Sequence, residues 1–341
     1  MLNCLKFSIV LGFMLFFQVS SAQPDSAHIE SIIKQNQKLI GNDIAIIVSK
    51  GGKNIYTREI PEFKLKNPAP VNSVSRWFTA ALVMIYVDEG KISLDDKVGK
   101  YLPIFNTYLK GYITIRHCLA NTTGIRAEAA GIMKLTEKKR FESLEAEVNN
   151  IVSKKDIQDN AGTAYFYSDL GTVIAGRVLE VVGKKSFDQL AQQKLFRPLG
   201  MRNSSFYAEK GSVDPAAGAN SSAFDMMNFM TMLMNNGMFN GKKVLSEASV
   251  EQLLKKQFTD QPVKYIPKEL ASFIPVPGAW IEEADGSGKP IIISSPGFSG
   301  PIPWINFGKG YAAVILPQKE LSDEKQKPII QIRNDIDSRM N

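Results

Sequence analysis

The stretch VNSVSRWFTAALVMIYVDEG, residues 71–90, constrains the chain more than any other. Across 73–89 it is apolar nearly all round, through Val74, Trp77, Phe78, Ala81, Leu82, Met84 and Ile85, and Gly90 stops it. That pattern predicts a helix buried on most sides and ended at a glycine. A helix of this kind needs a core large enough to surround it. The 341 residues contain no poly-Ser, poly-Pro or Gly-rich linker, which predicts one large domain with two lobes.

The first residues read differently from the rest. Lys6 precedes an apolar run from Phe7 to Phe17, and Ser20-Ser21-Ala22 follows with small side chains. This predicts a secretory signal peptide over 1–22 and an exported protein, periplasmic or secreted. The run is well short of the roughly 20 residues of a spanning helix, and no later segment qualifies, so no integral membrane span is expected after cleavage. Cys4 leaves with the leader, and its early position does not suit a lipoprotein attachment site. Cys118 then stands alone, without a partner for an internal disulfide. The formal charge of +7 is dispersed in EKKR, GKK and LLKK among acidic residues. A solvated surface is expected, not a nucleic-acid stripe.

IESIIKQNQKLI places Ile29, Ile32, Ile33 and Ile40 on one helical face. DIAIIVSKGGKNIYTREI then reads as a hairpin about Gly51-Gly52. Residues 95–260 read mainly as helices and loops. AWIEEADGSGKPIIIS forms a second hairpin about Asp285-Gly286, KGYAAVILPQ a further strand, and PIIQIRNDIDSRM a terminal helix. Hairpins at both ends with helices between predict an α/β (α+β) architecture. An antiparallel sheet lobe comes from 23–72 and about 262–341, flanked by helices, with a mainly helical lobe inserted over about 95–260.

Several chemistries are eliminated by what the chain lacks. It has two histidines, His28 near the expected mature N-terminus and His117 in ITIRHCLANTTG, where a packed or surface role is the plain reading. No G-x-S-x-G occurs; GFSGP is the nearest and breaks at Pro301. No H-E-x-x-H, clustered acidic calcium loop or phosphate-binding glycine motif is present, so no metal or cofactor is expected. What remains is a serine without histidine. Ser73 begins the buried helix, where free N–H groups and the helix dipole favour an oxyanion, and the residue three positions on lies beside it. A partly desolvated lysine there could take the serine's proton. Here that residue is Arg76. As a structural residue, Ser73 would be an ordinary helix N-cap.

The surroundings resemble one family along nearly the whole chain after the leader. VNSVSRWFTAALVMIYVDEGKISLDDKVGKYLP resembles the S-x-x-K helix of serine β-lactamases, DD-peptidases and the esterases of their fold. YITIRHCLANTTGI and AGTAYFYSDLGTVIAGRVLEVVGKKSFDQLAQQKLFRPLGM are similar to segments that follow it, the latter carrying the Y-x-N motif. AAGANSSAFDMMNFMTMLMNNGMFNGKKVLS resembles the family's helical lobe. The resemblance implies Ser73 at the nucleophile position and Arg76 at the lysine position. In the second motif, Tyr167-Ser168-Asp169 keeps the tyrosine but has Asp for Asn. In the third, Ser295-Pro296-Gly297 stands where Lys or His is followed by small residues and Gly. Asn121 replaces a histidine that the family often uses structurally.

Two accounts follow. In the first the chain is an exported serine hydrolase acting by acyl transfer on an ester, amide or cell-wall-type peptide. Ser73, Arg76 and Tyr167 are then its catalytic residues, and Asp169, Ser295, Gly297, Phe298 and Trp77 its binding residues. Arg76 cannot deprotonate Ser73; it would lower the pKa of Tyr167, leaving Tyr167 or Asp169 to accept the proton. Backbone N–H groups of Ser73 and of Phe298 or Ser299 would form the oxyanion hole. In the second account the serine is disabled, and the fold binds peptidoglycan-like peptides or serves a structural role. Either way the expected partner is a small molecule or peptide, possibly derived from cell wall, and the expected state a monomer. The methionines of DMMNFMTMLMNNGM would line an acyl pocket or pack the core, and Trp280 and Trp304, like Trp77, are candidates to flank a cleft.

Overall fold

The computed structural model describes residues 26–40, 44–127, 141–297, 300–321 and 323–340. Seven strands form one sheet: β1 Ile44–Lys50, β2 Lys53–Arg58, β3 Ile274–Val276, β4 Ala279–Ala284, β5 Pro290–Ser294, β6 Ile302–Asn306 and β7 Tyr311–Pro317. Their order across the sheet is β3-β4-β5-β6-β7-β1-β2, and every neighbouring pair is antiparallel. The helices that matter for the site are α1 Ser26–Gln35, α2 Ser75–Asp88, α3 Ile115–Leu119, α4 Leu170–Gly183, α5 Ala223–Met234 and α6 Asp323–Arg339.

Strands β1 and β7 join the two ends of the chain, in register from Ile44 opposite Pro317 to Lys50 opposite Tyr311. Successive side chains on a strand point to opposite faces, so both faces of this pair are supplied with apolar groups. Ala45, Ile47, Ala312, Val314 and Leu316 enter the main core on one face. Ile44, Ile46, Val48, Ala313 and Ile315 meet Ile29, Ile32 and Ile33 of α1 and Ile329, Ile332 and Ile336 of α6 on the other. This is the predicted α/β architecture, an antiparallel sheet covered by helices with a mainly helical region between β2 and β3.

Helix α2 runs through the main core, and its residues from Ser75 to Tyr86 are all buried. Phe78 meets Phe229 of α5 and Phe196 edge-on, with centroids 5.0 and 5.5 Å apart. Such aromatic pairs add to the area they bury and fix the angle between helices. Met226, Met227, Met230 and Met232 of α5 are buried in the same cluster, which makes them core packing.

Some expectations need correction. Trp77 does not flank a cleft: it is fully buried and packs edge-on against Phe229, with ring centroids 5.4 Å apart. Trp304 is also fully buried, on the other face of the sheet, where its Nε1–H donates to Tyr311 Oη at 3.0 Å. Strand β6 was not expected, because Pro303 interrupts its apolar run and a proline argues against an inner strand. Its lost donor is tolerated, and its carbonyl still accepts from Ser295 N–H at 3.2 Å. The ladders at 69–70 with 219–221 and 205–206, and at 165–166 with 263–265, are too short to show alternation in sequence. His117 takes a structural role, its Nδ1 accepting from Thr114 N–H in a capping box at the start of α3.

The burial of Trp77 makes a prediction. Trp77→Ala should cost about 3–5 kcal/mol in urea unfolding, the range for emptying a large aromatic site. A cleft role would instead show as weakened ligand binding with little change in stability.

Candidate active site

Ser73 lies in a single 3-10 turn, Asn72–Val74, that leads directly into α2 at Ser75. The residue before it, Asn72, has φ +48°, a left-handed conformation that asparagine tolerates better than most residues. Its Nδ2 donates to Glu320 Oε1 at 3.1 Å, tying this turn to the chain beyond β7. Ser73 is half-buried, and its Oγ–H donates to the carbonyl oxygen of Pro296 at 3.0 Å.

One helical turn on, the Arg76 side chain is only 10% exposed. Its Nη1 donates to Ser168 O at 2.9 Å, its Nη2 forms an ion pair with Asp169 Oδ1, and its guanidinium lies 4.2 Å from the centre of the Tyr167 ring. Arg76 Nε is buried and finds no acceptor among the described residues. Burial works against the charge, but Tyr167, Asp169, Tyr165 and Asp214 outweigh it and raise the pKa of Arg76. Asp169 sits at the N-cap of α4 without capping it; the carboxylate faces Arg76 instead.

Tyr167 is buried and packs against Trp280, with centroids 5.4 Å apart. The expected lowering of its pKa does not occur. Burial raises it, Asp169 and Tyr265 push the same way, and the opposing pull of Arg76 does not win. A buried phenol loses more solvation on ionising than the stacked guanidinium returns. Asn121, at φ +55°, holds this segment through both ends: its carbonyl accepts from Phe166 N–H at 2.9 Å and its Oδ1 from Ser168 N–H at 3.3 Å.

Ser73, Arg76, Tyr167 and Ser295 line one pocket, together with Asn121, Tyr165 and Trp280. Its closed space is about 10 Å³, roughly that of one water molecule. Ser295 is buried, and both of its donors are taken, Oγ–H by Gly278 O at 3.0 Å and N–H by Pro303 O. Gly297 is not part of this pocket: its N–H donates to Pro301 O at 2.8 Å within the turn, and the residue faces a second cavity. Phe298 and Ser299 lie outside the described residues.

Sequence reasoning missed three participants. Tyr165 is fully buried beside Tyr167, and its hydroxyl finds no partner among the described residues. Pro296 supplies the acceptor for Ser73. Gly278, φ +73°, lies so close to α2 that a Cβ there would come 2.5 Å from Arg76 C and O and Trp77 Cα. Only the Pro277-Gly278 dipeptide, a turn signal, hinted at the last of these.

The comparisons identify the family and the fold. The Beta-lactamase family model matches residues 32–334. Among curated proteins, Beta-lactamase-like protein 2 of Dictyostelium discoideum is 27% identical over 248 residues, which cover 61% of this chain. The match spans 45% of that relative, less than half its length. Among solved structures, a candidate beta-lactamase of Bacteroides dorei superposes with a TM-score of 0.78 at 27% identity, over 91% of this chain and 99% of that one. EstCE1, described as a hydrolase with promiscuous acyltransferase activity, shares the fold at a TM-score of 0.71 and 17% identity, over 91% of this chain and 97% of its own. With a family match running from α1 into α6 and a fold shared over nine-tenths of its length, this chain belongs to the Beta-lactamase family, a family of hydrolases.

Proposed function

We propose that this chain uses the family's cleft to bind a ligand, and that it transfers acyl groups slowly if at all. The observation that carries this reading is the environment of Ser73. Its proton is bonded to the Pro296 carbonyl, a group that cannot act as a base, and the cation that shares its pocket is an arginine that stays protonated. Tyr167 is held neutral by burial, and Asp169 is committed to Arg76. General-base help is worth roughly 10² to 10⁴ in rate, so its loss turns an enzyme into a poor one before it abolishes binding.

The charge balance points to the ligand. Arg76 and Asp169 offset one another, and Ser295 is neutral where the resemblance implies Lys or His. A ligand without a carboxylate therefore suits the pocket better than a penicillin or a D-amino-acid peptide, because no unpaired cation lines it among the described residues. With a closed space of about 10 Å³, the ligand sits at the pocket mouth or displaces a side chain. The leader reading makes the protein exported; no helix among the described residues is long and apolar enough to cross a membrane.

One observation favours the second reading, a working serine hydrolase. Ser73 is half-exposed at the start of a buried helix, where a nucleophile of this family stands. Ester, amide and cell-wall-type peptide are its substrate classes, with Tyr167 as base.

A fluorophosphonate probe and a p-nitrophenyl ester separate the readings. The wild-type chain should show neither stoichiometric labelling nor ester hydrolysis that Ser73→Ala removes, and Arg76→Lys with Asp169→Asn should create both. Stoichiometric labelling of the wild type, lost in Ser73→Ala, would overturn the binding reading. The pH profile is a second check. If Tyr167 were the base, the raised pKa would keep it protonated through pH 10, and the rate would climb about tenfold per pH unit to that point instead of levelling near neutrality. The ion pair has its own signature. Asp169→Asn leaves the buried guanidinium without its paired carboxylate and should cost about 3 kcal/mol in urea unfolding, the low end for a broken buried pair, because the Ser168 carbonyl, the Tyr167 ring and the more distant Asp214 remain.

A further inference from the structure

We propose a second binding site, specific for an uncharged alkyl or acyl chain, in the cavity behind the Pro296-Gly297 turn. This cavity measures about 220 Å³ and lies between β4, β6, the 269–273 segment and α6. Its walls are apolar: Leu270, Phe273, Ile302, Leu321, Ile329 and Ile330. Ile330 is 47% exposed at this lining, an apolar surface that solvent reaches and that a ligand would cover.

The charged groups on the walls decide the ligand's class. Arg333 and Glu282 form an ion pair in which both side chains are largely buried, and Arg333 also lies 5.7 Å from the Trp304 ring. Their charges offset each other, so they offer no net charge to an incoming head group, and the buried Arg333 Nε, without an acceptor among the described residues, can donate to a neutral hydroxyl or ester oxygen. Glu269, exposed at the lining, repels an anion. A free fatty carboxylate is therefore disfavoured, and a neutral chain such as an alcohol or an ester tail fits. The closed space of the Ser73 pocket is about 10 Å³ and that of this cavity about 220 Å³, room for a chain of several methylenes.

The cavity is one residue away from the Ser73 pocket. Pro296 lines it, and the carbonyl of the same residue accepts the Ser73 hydroxyl. Binding here does not require Ser73 chemistry, so the proposal stands or falls apart from the reading above.

Titration of the full chain with 1-butanol, 1-hexanol, 1-octanol and octanoate, followed by calorimetry or methyl NMR shifts, tests it. Affinity should rise about fourfold per added methylene from 1-butanol to 1-octanol, the increment for burying one CH₂. Octanoate should bind more weakly than 1-octanol. Ile330→Asp, at an exposed position compatible with folding, should weaken 1-octanol binding at least tenfold, and Phe273→Ala should weaken it several-fold. Affinity independent of chain length, octanoate binding as tightly as 1-octanol, or unchanged 1-octanol affinity in both variants would overturn the proposal.

Discussion

A single buried guanidinium organises the site. Removing the charge of Arg76 from water is costly, of the order of several kcal/mol, and it is tolerated because three groups meet it from different directions. The Asp169 carboxylate and the Ser168 carbonyl accept from its two terminal nitrogens, while the face of Tyr167 receives its plane. Only arginine can do this. Its flat, forked head bonds at the edge and stacks on the face at once, whereas lysine presents a point charge. The consequence is chemical as well as structural. In the proposed reading the two candidate bases, Tyr167 and Asp169, are instead engaged in holding Arg76, so the interaction that stabilises the pocket also works against proton transfer from Ser73.

The sheet gives that ion pair its rigidity. β1 and β7 carry apolar side chains to both faces, and α5, packed on them, supports α2 through Phe229. From the far end of the sheet, the turn between β3 and β4 presses Gly278 against the backbone of Arg76 and Trp77, and its carbonyl holds Ser295. Motif one, on α2, and motif three, after β5, are therefore held together through the Gly278 backbone, which meets α2 directly and accepts the Ser295 hydroxyl. Pro296 is the junction: one of its sides faces Ser73 and the other an apolar cavity.

Much of this architecture is legible in the chain, and the exceptions have physical reasons. The terminal hairpins show because alternating β-branched residues flank Gly51-Gly52 and Asp285-Gly286, and α2 because it is apolar on all sides. β6 is hidden by Pro303, whose missing N–H makes an inner strand look improbable. The convergence of Ser73, Arg76, Tyr167 and Ser295 was readable from motif resemblance, and the pairing of Arg76 with Asp169 from the cost of an unpaired buried charge. What could not be read is direction. Trp77 is one residue from Arg76, yet a 100° step around α2 sends it into the core. The pKa of Tyr167 depends on two opposed effects, and sequence displays the neighbouring cation but not the depth of burial that outweighs it. The Ser73 hydroxyl likewise has a partner, Pro296, that is 223 positions away and contributes only a backbone carbonyl.

The exchange of asparagine for aspartate matters as much as the exchange of lysine for arginine. A lysine acts as a base only when its environment disfavours its charge, through burial or through a second cation. A carboxylate at 169 does the reverse: beside Asp169 a lysine at 76 would be held in its protonated form, an ion pair in place of a proton acceptor. The two changes therefore close the same route twice. Arg76 cannot release its proton at any accessible pH, and Asp169 would keep even a lysine from doing so. With Ser295 adding no charge at the third motif, the three departures act together. They leave a pocket that is electrically balanced, with its serine hydroxyl turned to a carbonyl, an arrangement that under the proposed reading favours binding over the charge separation that acyl transfer requires.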